Sequence, residues 1–169
     1  KVLHAIGGRT LVGHAVAAAD VLSAQRLVVV IGHGRDAVAA HLAQVAPHVR
    51  TAVQDQQLGT GHAVQCALEQ AGDVTGGTVV VTYGDVPLLT GDTLAELVAR
   101  HEADGNAVTV LTAEVGDPTG YGRIVRAEDG SVSAIVEHRD ASADQRAISE
   151  INSGIYAFDG QVLVDALAQ

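Results

Sequence analysis

The chain has 169 residues, a length that suits one domain with a substantial core. Its 10 basic and 20 acidic residues give a formal charge of −10, and aromatic residues make up only 2%, so the composition disfavours a nucleic-acid partner, which would need a basic surface or aromatic stacking platforms. The single cysteine, Cys66, excludes an intramolecular disulfide, and no apolar run reaches the length of a membrane span; together these features favour a cytoplasmic protein without a membrane partner.

Helices and strands alternate through the first part of the sequence. Thr10 is predicted to cap a helix whose apolar residues recur at helical spacing to about Leu22, and Leu27–Ile31 is predicted to form a buried strand. A second helix that ends at Pro47 and a shorter strand over Val49–Gln54 follow. Apolar residues at helical spacing then predict a third helix from Ala63.

The stretch that follows contains a β-branched run, Thr78–Thr82, which is typical of a strand covered on both faces. The run ends at Tyr83-Gly84-Asp85, where the glycine frees the backbone to turn. Ligands of open α/β sheets collect beyond the carboxyl ends of the strands, and this is where Asp85 is expected. The carboxylate of Asp85 suits a hard cation such as Mg²⁺, although capping of the turn before the next helix would explain it as well.

A helix capped by Asp92 or Thr93 and a strand over Ala107–Thr112 complete the first part. The alternation of strands and helices predicts right-handed βαβ units. We therefore expect an α/β fold of three layers, αβα, with a mostly parallel central sheet.

The second part of the sequence is rich in strands. Gly120–Arg126 and Ser131–Val136 are predicted to form a hairpin turned at Asp129-Gly130. Glu150–Phe158 is predicted to be a last strand, followed by a helix that begins near Val162.

Three features of the sequence suit ligand binding, and each also has a plain structural explanation. The loop Leu58–Ala63 would present backbone N–H groups at a helix N-terminus, or it is an ordinary glycine-rich connection. Gly120–Arg123 would allow a sugar or nucleotide to approach the backbone, or it forms a tight turn. Glu137 and Asn152, at strand ends, would bind hydroxyl groups, or they are solvated or capping residues. The sequence has no zinc motif and no nucleophile elbow, which disfavours a zinc site and a serine hydrolase.

A series of motifs covers nearly the whole chain in a recognisable order: Lys1–His4, Gln54, Leu58–Ala63, Tyr83–Leu88, Asp117–Ile124, Ile135–His138 and Glu150–Gly154. In these motifs the sequence resembles the bacterial bifunctional N-acetylglucosamine-1-phosphate uridyltransferases/glucosamine-1-phosphate acetyltransferases. The resemblance implies a nucleotide-diphosphosugar transferase (Rossmann-like) fold with Mg²⁺ and a small β-rich sugar-binding part. It also implies that residues 1–169 form one uridyltransferase domain truncated at both ends.

The resemblance further implies roles for single residues. Lys1 would contact phosphate, and Asp85 would be the metal ligand; these two are the expected catalytic residues. Gln54, Gly59 and Thr60 would hold the uracil and its ribose, together with Lys1 as the nucleotide-binding set. The expected substrate-binding residues are Tyr83, Gly84, Asp85, Gly122, Glu137 and Asn152, of which the last three would recognise N-acetylglucosamine.

The implied reaction is attack by the phosphate of N-acetylglucosamine 1-phosphate on the α-phosphorus of UTP. Its products are pyrophosphate and UDP-N-acetylglucosamine, a precursor of peptidoglycan and the cell envelope. The substrate phosphate is already a nucleophile, so the expected catalysis is positioning and charge neutralisation, with Lys1 and Mg²⁺ on Asp85 as the positive charges.

Three family features are absent from this sequence: a glycine-rich phosphate loop before Lys1, a second metal-ligand Asn after Gln169, and the left-handed β-helix that carries the acetyltransferase and would form a homotrimer. The chain by itself is therefore expected to bind its substrates weakly or be inactive. The segment before Lys1 is expected to contain a further strand, which would lie beside Leu27–Ile31 or Thr78–Thr82. Two other functions stay open: a nucleotidyltransferase for another sugar phosphate or base, and a catalytically silent nucleotide-binding module.

Overall fold

The computed structural model describes residues 1–169. The six helices are α1 (Leu11–Asp20), α2 (Arg35–Val45), α3 (Thr60–Ala71), α4 (Gly91–Asp104), α5 (Ala143–Arg146) and α6 (Gly160–Leu167). The nine strands are β1 (Ala5–Ile6), β2 (Arg9–Thr10), β3 (Val28–Ile31), β4 (Arg50–Val53), β5 (Thr78–Val81), β6 (Val108–Glu114), β7 (Arg123–Arg126), β8 (Val132–Val136) and β9 (Glu150–Asp159). No helix combines the length and the apolar character that crossing a membrane requires.

Apart from the short β1–β2 pair, the strands form a parallel pair, β3–β4, and a separate five-stranded sheet. In the larger sheet β9 lies between β5 and β6 and is antiparallel to both, so β5 and β6 run in the same direction as each other. The larger sheet is therefore mixed, whereas a mostly parallel sheet was expected. The reason is that β9 lies between β5 and β6, which would otherwise be parallel neighbours. The first half of β9 also pairs with β7 and so joins the two parts of the chain.

Helix α1 holds the two sheets together, although no hydrogen bonds run between them. On one side, α1 packs with β3 and α2 in a hydrophobic cluster formed by Val12, Val16, Ile31, Val38, Leu42 and Ala46. On the other side, α1 packs with α4 and β9 in a second cluster formed by Ala18, Leu94, Leu97, Ile155 and Ala157. Leu94 is fully buried, and burial of one such side chain contributes about 1.5–3 kcal/mol.

Helices α3 and α6 make a second connection between the sheets. Helix α3 contacts β3 and β4, and α6 contacts β5 and β9. The side chain of Gln65 on α3 donates to the carbonyl of Leu167 on α6 at 2.9 Å. Two groups of helices thus cover the strands, as expected for an αβα arrangement.

Four of the six helices, α1, α4, α5 and α6, begin with a side-chain cap, and one of the two predicted caps differs from the observed one. The Thr10 side chain accepts from the backbone N–H of Gly13, which confirms the predicted cap of α1. The predicted cap of α4 at Asp92 or Thr93 is wrong, because the Thr90 side chain accepts from the N–H of Thr93 at 3.2 Å and starts the helix earlier.

Two short elements were not predicted from the sequence. Strands β1 and β2 form a small hairpin around Gly7-Gly8, and both glycines have positive φ. Helix α5 begins with a capping box in which Ser142 and Gln145 bond to each other's backbone N–H. A Gly-Gly dipeptide and a Ser-x-x-Gln pattern are the signals that could have revealed them.

Candidate active site

Lys1 and Asp85 lie together at the carboxyl end of β5. The Lys1 ammonium donates to Oδ2 of Asp85 at 2.7 Å, and the other carboxylate oxygen has no hydrogen-bond partner in the protein. The side chains are 76% and 33% exposed, and such an ion pair contributes at most about 1 kcal/mol. Phosphate oxygens and a cation can therefore replace this contact at low cost.

The segment that carries Lys1 is held against α1. The N–H of Val12 donates to the carbonyl of Val2 at 3.0 Å, and the N–H of Leu11 donates to the carbonyl of His4 at 2.9 Å. A Cβ placed on Gly84 would lie 3.9 Å from the side chains of Val2 and Val12, so the turn after β5 packs directly on this segment. The fold thus positions Lys1 beside Asp85 through backbone contacts.

Gln54 and Gly59 face each other at the carboxyl end of β4. The Gln54 amide nitrogen donates to the carbonyl of Gly59 at 2.9 Å and lies 3.2 Å from Nδ1 of His62. Gly59 has φ +104, a backbone conformation that favours glycine, and it precedes Thr60, the first residue of α3. The first N–H groups of α3 therefore lie near Gln54, and a helix start of this kind can bind a polar or anionic group.

Gly122, Glu137 and Asn152 form one contiguous group. A Cβ placed on Gly122 would lie 3.3 Å from Oε1 of Glu137 and 3.6 Å from Cβ of Asn152. The N–H of Asn152 also donates to the carbonyl of Gly122 at 2.8 Å. The pairing of β7 with β8 and β9 thus brings together three residues that are distant in the sequence, and they present a carboxylate and an amide on one surface.

Tyr83 connects this group to the end of β5. Its ring packs on Gly154, where an added Cβ would lie only 2.3 Å from Cε2 of Tyr83. The Asn152 side chain accepts from the N–H of Gly154 at 2.9 Å and from the hydroxyl of Tyr156 at 3.0 Å. Burial raises the pKa of the Tyr156 hydroxyl, and the charges of Tyr83 and Glu137 add to the rise, so Tyr156 stays a neutral donor to Asn152.

We call Gly122, Glu137, Asn152, Tyr83 and Gly154 the sugar-side cluster. The cluster is connected to Asp85 along the backbone, because Tyr83 lies two residues before Asp85. No hydrogen bond links Gln54 or Gly59 to the Lys1–Asp85 pair. The expected site residues therefore form two groups, one at the end of β4 and one at the end of β5 and along β9.

Comparisons with known proteins show which family the chain belongs to. The family model of the MobA-like NTP transferase domain matches residues 1–151. The chain belongs to the MobA-like NTP transferase domain family. It is 65% identical over 170 residues to the bifunctional protein GlmU of Streptomyces coelicolor and 60% identical over 167 residues to that of Thermobifida fusca. It covers 35% and 34% of these relatives, so it spans about a third of their length.

Solved structures support the fold of this NTP transferase domain. The crystal structure of HddC from Yersinia pseudotuberculosis complexed with GMP-PN matches with a TM-score of 0.72 and 20% identity, covering 97% of this chain and 69% of that chain. The predicted α/β nucleotidyltransferase fold and the predicted resemblance to the bifunctional family are confirmed. The roles of single site residues stay predictions.

Asp85 is the residue of this NTP transferase domain that could hold a metal ion. Mg²⁺ in proteins typically takes one or two carboxylates and fills its other positions with water and substrate phosphates. The structure has no group of three or more His, Cys, Asp and Glu side chains that could share a metal, so Asp85 would supply one carboxylate. Its oxygen without a protein partner is suited to that contact.

The structure also adds residues that sequence reasoning did not single out. A cavity of about 770 Å³ opens beside Gln54, between the ends of β3 and β4, and Arg35 and Asp55 form an ion pair on its wall. Gly32-His33-Gly34 after a predicted strand was the available signal. Gly154 was missed as well, and a glycine inside a strand pattern is a sign of a bulge.

Proposed function

We propose that this chain transfers the uridylyl group of UTP to N-acetylglucosamine 1-phosphate and so forms UDP-N-acetylglucosamine and pyrophosphate. The observation that carries the proposal is the continuity of the sugar-side cluster with Asp85, since a carboxylate and an amide that could bind sugar hydroxyls lie near the Lys1–Asp85 pair that could bind phosphate. The identity of 65% to a bifunctional protein GlmU supports it.

The chain's own residues bind and orient the two substrates. Glu137 would accept hydrogen bonds from sugar hydroxyls, and the Asn152 amide, with its oxygen engaged by Tyr156, would donate through its NH₂ group. Gln54 and the N-terminus of α3 would hold the base and ribose. These contacts fix the sugar phosphate and the nucleotide in one geometry, which is a large part of the expected rate enhancement.

The reaction needs no protein base, because the sugar phosphate is already an anion. One of its oxygens forms a bond to the α-phosphorus of UTP, and the bond between that phosphorus and the oxygen bridging to the β-phosphate breaks. The electron pair leaves with pyrophosphate. Lys1 would move from Asp85 to the phosphates and stabilise the developing charge.

Asp85 would hold a magnesium ion, which when bound supplies positive charge to the phosphate oxygens of both substrates. Local positive charge is required because the chain carries a formal charge of −10. The Lys1–Asp85 pair is suited to this task, since opening an exposed ion pair costs little.

We further propose that the product serves the cytoplasmic synthesis of peptidoglycan and other cell-envelope precursors. The homotrimer and the acetyl transfer to glucosamine 1-phosphate, which the family resemblance implies, involve sequence outside residues 1–169. They stay predictions, and sedimentation of a longer protein would test the trimer.

The experiment uses a chimera in which residues 1–169 replace the matching segment of the Streptomyces coelicolor relative. Pyrophosphate release is measured for each pair of a nucleoside triphosphate and a sugar 1-phosphate, with and without Mg²⁺. We expect the highest kcat/KM for UTP with N-acetylglucosamine 1-phosphate. A higher value for another pair would favour the related nucleotidyltransferases, and nucleotide binding without pyrophosphate release would favour the silent module.

Asp85→Asn tests the metal assignment in the same chimera. We expect turnover to fall by about two orders of magnitude while folding is preserved, because a neutral amide is a weaker ligand for Mg²⁺. Asp104→Asn, at the exposed end of α4, is the matched control and should keep full turnover. Undiminished turnover in Asp85→Asn would show that Asp85 is not the metal ligand.

A further inference from the structure

His62 lies between Gln54 and Cys66 in the first turn of α3. Its Nδ1 is 3.2 Å from the amide nitrogen of Gln54, and its Nε2 is 3.8 Å from Sγ of Cys66. The proposed function gives Gln54 the nucleotide base but gives His62 no role. The imidazole is partly buried, so these two contacts define much of its polar surroundings.

The carbonyl of Gly59 identifies which end of the Gln54 amide faces His62. The Gln54 nitrogen is 2.9 Å from that carbonyl oxygen, and turning the amide over would set two acceptors against each other. The amide nitrogen therefore donates one hydrogen to Gly59, and its second hydrogen points to Nδ1 of His62.

This arrangement determines the tautomer of the histidine. Nδ1 must accept from Gln54, so the imidazole proton sits on Nε2, where the sulfur of Cys66 is a weak acceptor. With both amide hydrogens engaged, Gln54 turns only its carbonyl oxygen toward a ligand, and that oxygen has no hydrogen-bond partner in the protein.

We propose that His62 is a positioning residue that sets the base preference of this site by holding Gln54 as a hydrogen-bond acceptor. Uracil carries a donor at its ring N3–H, whereas cytosine carries an acceptor at the same ring position. A fixed acceptor therefore favours uracil, and a Gln54 amide that is free to turn over accommodates either base. The inference rests on the proposed function, since it assumes that Gln54 meets the base.

The first test measures kcat/KM for UTP and for CTP in the chimera, with N-acetylglucosamine 1-phosphate as the second substrate. We expect wild type to prefer UTP strongly and His62→Ala to lower the UTP/CTP ratio about tenfold or more, because the Gln54 amide loses one of two restraints. His62→Asn should restore most of the ratio, since its Oδ1 can take the place of Nδ1. His14→Ala, a histidine on α1 that bonds to the Ile6 carbonyl, is the control and should leave the ratio unchanged.

The second test needs no activity and uses the same chimera. Nitrogen-15 NMR at pH 8 should show the His62 proton on Nε2, and the His62 signals should change when UMP is added more than when CMP is added. A proton on Nδ1 would overturn the inference even if a variant failed to fold.

The outcomes separate this inference from the proposed function. No turnover, or no preference for UTP in wild type, contradicts the proposed function, and the NMR result then decides the His62 geometry by itself. A wild-type preference that His62→Ala keeps would overturn the inference. Equal losses in His62→Ala and His62→Asn would also overturn it, because they would indicate a general packing role.

Discussion

Gly154 offers a sharp test of how the sugar-side cluster is built. It lies in β9 at φ +76, where the register against β6 shifts, and Tyr83 packs on its open face. Gly154→Ala would place a Cβ 2.3 Å from Cε2 of Tyr83 and 2.6 Å from its hydroxyl oxygen, so the ring must move.

The expected loss of stability has two parts. A non-glycine residue at this φ costs about 1–2 kcal/mol, and overpacking against the Tyr83 ring adds about 1–3 kcal/mol. Gly154→Ala should therefore lower the free energy of unfolding by about 2–5 kcal/mol, a large share of the stability of a typical domain. Urea denaturation followed by circular dichroism measures this difference.

Gly130→Ala is the matched control. Gly130 has φ +83 and nothing within 4 Å of an added Cβ, so only the backbone part of the cost applies, about 1–2 kcal/mol. In the double variant Gly154→Ala/Tyr83→Ala the clash is absent, and the cycle should show a coupling of about 1–3 kcal/mol. Equal costs for Gly154→Ala and Gly130→Ala, with no coupling to Tyr83, would refute the packing described here.

Three further predictions test the substrate site, an ion pair and a helix cap. Glu137→Ala in the chimera should raise KM for the sugar phosphate about tenfold and leave KM for UTP nearly unchanged; equal effects in the kinetic assay would contradict the division of the site. The hydrogen bonds from Arg126 lower the pKa of Glu150, so the ion pair stabilises the fold above about pH 4.3 and this contribution is lost as the pH falls through the lowered pKa. Glu150→Gln should therefore cost about 1 kcal/mol or less in urea denaturation at pH 7 and less than that at pH 3, and a larger cost in acid would contradict this sign. Thr90→Ala should cost about 1 kcal/mol, since it leaves the N–H of Thr93 without its cap; Thr90→Ser is the control, and an equal loss there would exclude the capping role.

Local sequence signals were enough to predict most of the helices and strands. The β-branched residues of β5 and the apolar periodicity of α1 predicted those elements almost to their ends, because both depend on short-range patterns. The Asp129-Gly130 turn likewise predicted the β7–β8 hairpin.

The pairing of strands that are distant in the chain could not be predicted from the sequence. The position of β9 between β5 and β6 depends on contacts between residues that are far apart in the chain, and no local pattern specifies it. The bulge at Gly154 and its contact with Tyr83 follow from that pairing. The ion pair between Lys1 and Asp85 joins residues 84 positions apart for the same reason.

The family resemblance predicted most residues of the sugar-side cluster, but not Gly154. It named Gly122, Glu137 and Asn152, and the structure brings these three together. It did not indicate His62, whose contact with Gln54 appears only in the folded geometry. The expected further strand beside β3 or β5 stays a prediction.

Transfer of label from UTP is the most direct test of the proposed uridylyl transfer to N-acetylglucosamine 1-phosphate. The chimera is incubated with Mg²⁺, N-acetylglucosamine 1-phosphate and UTP labelled at its α-phosphorus, and the labelled products and pyrophosphate are counted. We predict equal amounts of pyrophosphate and labelled UDP-N-acetylglucosamine, both dependent on the sugar phosphate and both lost in Asp85→Asn. Labelled UMP formed without the sugar phosphate, or label transfer undiminished in Asp85→Asn, would contradict the account.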